Sequence, residues 1–306
     1  MDAPIVVAAF DDLQRQYQVV ATPPAIQADL QSLVSVQAQI SQKLAYYRGQ
    51  RNTWVWLAVA IFAVILVTQG LVSVSGFWLL LGLPALAITL GAGVYAIVKA
   101  VQANDSVQSW RSRDFEAQGY RHQALSRLLT LIARDILPQA KLRLHLDLSP
   151  LTAPGKSVGQ GKNPRHPTRT NEYFADPWLN FRGRFADGTR FQITAVEYYV
   201  VCTWRNENNN ARRREKHKGL RLQLLLRYAP EQYADLPRLA NGAEAAVQLP
   251  RYVALQHLDV QGDRLEMKVK LPSKVTASLL AQTLTLMLLS AYQILNLARL
   301  RNHQAS

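Results

Sequence analysis

The chain has 306 residues, of which 49% are hydrophobic and 18% charged, and its formal net charge is +14. This length allows about two units of ordinary domain size, and the charged fraction is below the roughly 25% that is usual in soluble domains. A single cysteine, Cys202, excludes an internal disulfide and a zinc site built from cysteines. The basic balance favours anionic partners, such as lipid head groups, an acidic protein surface or nucleic acid.

The N-terminal segment, residues 1–24, does not have the pattern of a secretory signal. It opens with Asp2 in place of a basic run, and its apolar stretch is short. Over residues 25–52, apolar side chains recur at steps of three and four, which predicts a cytoplasmic helix with one apolar seam. The seam consists of Ile26, Leu30, Leu33, Ile40, Leu44 and Tyr47, and polar Gln37 interrupts it.

An uncharged interval of 47 residues separates Arg51 from Lys99. One transmembrane helix needs about 20 apolar residues, so this interval predicts two spans and a turn. We expect the spans at residues 53–72 and 77–98, joined by a short extracytoplasmic turn at residues 73–76. A hairpin buried in a soluble core is the alternative, but soluble cores rarely contain so long an uncharged run.

Basic residues precede the first predicted span and follow the second, and the predicted turn between the spans has none. Under the positive-inside rule, both termini therefore lie in the cytoplasm. The layout is similar to that of bacterial two-pass proteins, which favours a bacterial inner membrane. The flanking residues are Lys43, Arg48 and Arg51 before the first span, and Lys99, Arg111 and Arg113 after the second.

A second helix is predicted over residues 99–138, where apolar side chains recur at spacings of three or seven and Pro138 ends the pattern. With residues 25–52, it either continues the spans as a short antiparallel coiled coil or packs on the globular domain. The same seams would also fit a dimer.

Residues 139–306 predict a cytoplasmic domain rich in antiparallel strands. From Lys141 the hydrophobic period changes to two, and hairpin turns are indicated around Gly188 and Gly262. Residues 275–300 predict a helix that covers the sheet, with a third span as the alternative. The expected fold class is therefore an α+β membrane protein, with a two-helix transmembrane hairpin, flanking cytoplasmic helices and a β-rich domain closed by a C-terminal helix.

Two polar stretches of this domain, residues 149–171 and 206–218, predict mobile basic loops. Residues 141–306 contain 25 Lys and Arg against 13 Asp and Glu, and both loops concentrate this excess. Near a membrane, each basic residue adds about 1 kcal/mol of attraction to anionic lipid, so lipid head groups or an acidic partner are the expected ligands. The candidate binding residues are Lys156, Lys162, Arg165, Arg169, Arg212, Arg213, Arg214, Lys216 and Lys218.

Nucleic acid is not expected as a partner, because single-stranded RNA recognition uses exposed aromatic side chains and the basic stretches offer only Tyr173 at one edge. No catalytic, cofactor-binding or metal-binding motif is present; the GKSVGQGKN stretch lacks the phosphate-loop spacing, with Lys156 where glycine is required. Glu197 is expected to meet an arginine on a neighbouring strand, and Cys202 to lie on the core face as an inert thiol.

The leading hypothesis is a noncatalytic scaffold, assembly factor or accessory subunit of a membrane complex, which acts with a membrane-protein partner or a second copy. A membrane-tethered enzyme and an oligomeric channel or transport component are the alternatives. No cofactor is expected.

Overall fold

The computed structural model divides the chain into two compact units. The sheet unit is formed by Met1–Val34 with Phe115–Ser306, and the helical unit by Ser35–Asp114. The predicted turn at residues 73–76 and the candidate residue Arg165 lie outside the described residues. The structure describes residues 9–11, 14–72, 79–163, 166–206, 208–233, 236 and 240–305.

A nine-stranded antiparallel sheet forms the centre of the sheet unit, in the order β1-β2-β3-β5-β6-β7-β9-β8, with β4 added to β5. The first two strands come from the N-terminal segment, for which the sequence predicts no strand. The nine strands are β1 Phe10–Asp11, β2 Gln16–Ala21, β3 Leu142–Asp147, β4 Ser157–Asn163, β5 His166–Arg184, β6 Arg190–Arg205, β7 Ala211–Arg227, β8 Ala254–Gln261 and β9 Arg264–Leu271.

One face of the central strands is the core. In β7 the side chains of Leu220, Leu222, Leu224 and Leu226 are all buried, and each lies opposite a buried residue of β9. This alternation is the period of two that the pleat imposes on a half-buried strand. Helices add to this core: α3, Gly119–Ile132, packs on the C-terminal helix α4, Ala277–Ala305, and α4 packs on β7 and β9.

The predicted C-terminal helix is confirmed. Its seam is buried because α4 covers the sheet. The buried seam residues are Leu280, Leu284, Met287, Ala291, Ile294 and Ala298. The α+β fold with a large antiparallel sheet and a C-terminal helix therefore stands as the sequence predicts it.

The face assigned to β6 from the sequence is wrong. Phe191, Ile193, Ala195 and Glu197 point into the core, whereas Cys202 is only half-buried on the opposite face. Both faces of β6 carry apolar side chains, so the hydrophobic pattern alone does not distinguish them.

The two predicted basic loops are also wrong, because the structure extends them as strands. Residues 157–163 form β4, residues 166–171 belong to β5, and residues 211–218 are the first half of β7. Few of these residues are buried, so neither face has an apolar period. Backbone hydrogen bonds hold these segments in the sheet. Because such bonds do not require apolar side chains, the composition of these strands resembles that of a loop.

The helical unit contains most of α1, Pro23–Val72, and all of α2, Leu79–Arg113. At 50 residues, α1 is about 75 Å long. The two helices are antiparallel, since Lys43 lies over the ring of Trp110 and the ring of Trp54 meets that of Tyr95.

The predicted helix over residues 99–138 is divided. Its first part completes α2, and α2 ends at Arg113; its second part is α3, which belongs to the sheet unit. The break falls just before Gly119, a residue with low helix propensity. The packing of this second part on the globular domain is thus observed, whereas a coiled coil that continues the membrane spans stays a prediction.

Two helical stretches among the described residues are long and apolar enough to cross a membrane. In Pro23–Val67, only 6% of the apolar window is buried, whereas in Ala277–Leu300 the share is 56%. Burial on the sheet therefore accounts for the apolar surface of α4, but not for that of α1.

Candidate functional site

The far ends of β5, β6 and β7, together with β4, form an extension of the sheet that we call the ribbon: residues 157–163, 166–173, 200–205 and 211–218. A groove of about 560 Å³ runs along one face of the ribbon. The strand register places its residues in cross-strand rows. Asn171 lies beside Cys202, which lies beside Arg214, and the next row contains Tyr173, Val200 and Lys216.

The walls of the groove are cationic and its floor is uncharged. Arg214, Lys216 and Lys218 come from β7, Arg169 comes from β5, and the middle strand β6 contributes Val200 and Cys202 to the floor. No carboxylate is among the lining residues, and none of the four cations forms an ion pair with a carboxylate of the described residues. The cationic charge of the groove is therefore available to a ligand.

Aromatic rings support this face. The guanidinium of Arg169 lies 4.8 Å from the ring centroid of Trp204, a cation–π distance that holds the arginine beside the groove. The ring of Tyr173 is 39% exposed, and its hydroxyl accepts a hydrogen bond from the amide of Asn171, at 3.3 Å. Folding the basic segments as strands thus brings aromatic rings to cationic side chains that the sequence placed in loops.

The opposite face of the ribbon has a different charge pattern. There Arg213 pairs with Glu215, at 2.9 Å, and Tyr199 donates a hydrogen bond to the same carboxylate. Successive side chains of a strand point to opposite faces, so Arg213 and Arg214 are separated although they are adjacent in sequence.

The binding residues predicted from the sequence do not all lie at the groove. Arg169, Arg214, Lys216 and Lys218 line the groove, and Arg212 lies across from Trp204 at its end. Lys162 and Arg213 lie in the rows of the opposite face, and Lys156 is buried in the sheet unit. These three residues are therefore not part of the groove.

A cluster of buried charges lies on the core face of the sheet, and we call it the ion cluster. Its centre is Arg121 of α3, which is fully buried and donates hydrogen bonds to Asp176, at 2.7 Å, and to Glu197, at 2.5 Å. The same guanidinium donates to the backbone carbonyl of Asp147, at 2.8 Å. The central carbon of this guanidinium lies 4.9 Å from the ring centroid of Trp178.

Lys156 and His217 complete the ion cluster. Lys156 bridges the carboxylates of Asp147 and Asp176, at 3.0 and 2.8 Å. His217 bonds to Glu197 through Nε2 and accepts the backbone N–H of Gly219 at Nδ1, at 3.0 Å. This second contact assigns the ring hydrogen of a neutral His217 to Nε2, which therefore donates to the carboxylate.

Every oxygen of the Glu197 carboxylate has a donor. Oε1 accepts from His217, and Oε2 accepts from Arg121 and from the hydroxyl of Tyr120, the last at 2.8 Å. Burial alone would raise the pKa of Glu197, but these hydrogen bonds and the charge of Arg121 outweigh it and lower the pKa to about 2. A carboxylate that is ionised and fully engaged is a poor general base, so the ion cluster fits a structural role.

One further group of side chains has the spacing of metal ligands. Donor atoms of His257, Asp259 and Glu266 on the β8–β9 hairpin lie within 4.8 Å of one another. Both carboxylates already pair with cations, Asp259 with Arg264 at 3.2 Å and Glu266 with Lys268 at 2.6 Å. The group is therefore satisfied as a surface ion-pair network.

Most of the contacts in the ion cluster cannot be predicted from the sequence. The sequence singles out Glu197 and an arginine partner, but it expects the arginine on the next strand, whereas Arg121 comes from a helix. Arg121 lies 55 residues from Asp176 and 76 from Glu197, so no local spacing joins them. The one sign of a buried arginine in the sequence is that Arg121 interrupts the apolar seam of the predicted helix.

Comparison with known proteins finds no family model, no curated protein and no solved structure that matches this chain.

Proposed function

We propose that this chain is a noncatalytic, two-pass membrane-anchored module that holds an anionic partner in the groove of its ribbon, as a scaffold, assembly factor or accessory subunit of a membrane complex. The observation that carries the proposal is the groove itself, with four cations and no carboxylate among its lining residues. Uncompensated like charges repel one another, and an anion removes that repulsion when it binds.

The apolar surface of the helical unit supports membrane anchoring. Large side chains such as Trp56, Phe62 and Val67 of α1, and Ile88 and Val94 of α2, are more than half exposed. Contiguous apolar surface of this extent is typical of contact with lipid or with another apolar surface. The basic residues at both flanks favour cytoplasmic termini in a bacterial inner membrane, with the sheet unit on the cytoplasmic side.

Chemical crosslinking with mass spectrometry, on the full chain in its native membrane, tests the partner. Lys216 and Lys218 of the groove should form crosslinks to one membrane protein whose contact surface is anionic. Arg214→Glu should abolish them, because it places a negative charge on the same wall of the groove as the two lysines.

Arg213→Glu is the matched control, because it makes the same charge change at the adjacent position on the opposite face. Its crosslinks should equal those of the unmodified chain. If both variants keep the crosslinks, or if both lose them, the groove does not bind the partner.

A further inference from the structure

We propose that the ligand of the groove carries at least two phosphate groups. This inference rests on the proposed function, in which the groove binds an anion, and it specifies the chemistry of that anion. Four cations, Arg169, Arg214, Lys216 and Lys218, surround one groove of about 560 Å³.

Charge density favours phosphate over carboxylate. A carboxylate carries one negative charge, whereas a phosphate monoester carries about 1.5 to 2 at neutral pH. Two phosphates are thus enough to balance four cations, but four carboxylates would have to share the same small groove. Arginine also binds phosphate through two parallel hydrogen bonds, and the groove offers Arg169 and Arg214 for this geometry.

The backbone fixes the spacing of the cations. Alternate residues of a strand lie about 7 Å apart along its axis, so Arg214 and Lys216 form successive steps of one wall. Strands β5 and β7 flank β6 and are therefore about 10 Å apart, which is the distance between Arg169 and the opposite wall at the level of the backbone. A narrow chain of linked phosphates fits between these walls, above the uncharged floor of Val200 and Cys202.

Burial of Asn171 indicates that the groove is a formed site. Its side chain is buried, lines the groove and donates to the hydroxyl of Tyr173, at 3.3 Å. The Tyr173 hydroxyl is thereby oriented as a donor toward other acceptors. A neutral polar pair beside four cations adds hydrogen bonds to phosphate oxygens and no competing negative charge.

The unique cysteine is a native reporter of the groove. Cys202 lies on the floor and is half-buried, so a bound ligand should shield its thiol from alkylation. The experiment measures the rate at which neutral iodoacetamide alkylates the full chain in detergent micelles, by mass spectrometry, at constant ionic strength. Each variant is compared with its own rate without ligand, which removes any change in the intrinsic reactivity of the thiol.

Sodium tripolyphosphate is the soluble probe. At ten times its dissociation constant, a ligand that blocks the thiol slows alkylation about tenfold. Arg214→Ala should raise the concentration needed for half-maximal protection about tenfold, which corresponds to the loss of a charge-assisted hydrogen bond. Arg213→Ala on the opposite face should leave it unchanged.

Micelles that contain phosphatidylinositol bisphosphate, whose head group has two phosphate monoesters, form the lipid arm. Protection by this lipid identifies a lipid head group as the source of phosphate, and protection by tripolyphosphate alone identifies a soluble compound; both support the inference. Equilibrium dialysis with radiolabelled tripolyphosphate gives a second readout that does not depend on the thiol.

Polyglutamate at equal total charge separates this inference from the proposed function. If polyglutamate protects Cys202 as well as tripolyphosphate does, the groove is a general anion site, and the phosphate inference is overturned while the proposed function stands. If no probe protects the thiol and dialysis detects no binding, both are overturned.

Discussion

Replacing Glu197 with glutamine removes one charge from the ion cluster and leaves the side-chain shape nearly unchanged. The folded state lowers the pKa of this carboxyl from 4.5 to about 2, as His217 and Arg121 favour its ionised form. Since one pKa unit corresponds to about 1.4 kcal/mol, the shift contributes about 3 kcal/mol to the free energy of unfolding at pH 7. The side chain is only 5% exposed, so solvent screening reduces this value little.

Thermal unfolding of the full chain, followed by near-ultraviolet circular dichroism, measures the effect. A loss of about 3 kcal/mol should lower the Tm by roughly 6–12 °C for a protein of this size. Because the folded pKa is the lower one, this stability is complete above pH 4.5 and is lost as the pH falls through 2. The difference between Glu197→Gln and the unmodified chain should therefore shrink over that range.

Glu215→Gln is the matched control, since it makes the same substitution in a carboxylate that is 47% exposed and pairs with Arg213. Exposed ion pairs contribute at most about 1 kcal/mol, so the Tm should fall by less than about 4 °C. Equal effects of the two substitutions at pH 7 would show that the ion cluster does not stabilise the fold.

Three further predictions concern the sheet unit. Burial lowers the pKa of His122 from 6.5 to about 4. The protein should therefore lose about 3 kcal/mol of its free energy of unfolding as the pH falls from 6.5 to 4. His122→Leu should remove this loss in unfolding measurements at several pH values. Lys156→Met should destabilise the fold in urea titrations but leave tripolyphosphate binding unchanged. Arg214→Ala should weaken tripolyphosphate binding but leave the stability of the fold unchanged. Gly219→Ala should lower the free energy of unfolding by about 1–3 kcal/mol, because its φ is +112° and a Cβ atom would lie 2.9 Å from a backbone oxygen. Gly161→Ala is the control, since its added Cβ atom would meet no atom within 4 Å, and the same assay should show almost no change.

The parts of the fold that pack on one face are the parts that the sequence predicts. The alternating leucines of β3, Leu142, Leu144 and Leu146, and the seam of α4 are all buried. A half-buried element must repeat its apolar side chains with its own period, so the pattern is visible without a structure.

The ribbon has no such pattern, because most of its described side chains are exposed or only half-buried. Its stability comes from backbone hydrogen bonds between neighbouring strands, which leave no trace in hydrophobicity. The basic residues themselves were predicted as candidates, but their separation into two faces depends on the strand register. Arg213 and Arg214 are alike in sequence, yet one is paired with Glu215 and the other lines the groove.

The ion cluster shows a different reason for failure. Its members come from α3, β3, β5, β6, β7 and the turn before β4, so only the folded sheet unit brings them together. Lys156 illustrates this, since its sequence neighbours suggest an exposed basic loop, whereas two buried carboxylates hold it in the interior. Sequence spacing cannot indicate such long-range pairing.

Membrane topology is the first measurement to make, because the proposed function requires membrane anchoring with both termini in the cytoplasm. Alkaline phosphatase, which is active only outside the cytoplasm, is fused to the full chain either after Ser306 or at Ser75 in the predicted turn. We expect an inactive fusion at Ser306, an active fusion at Ser75, and retention of both in the membrane after alkaline extraction. Activity at Ser306, or release of the chain by alkaline extraction, would rule out an anchored chain with cytoplasmic termini.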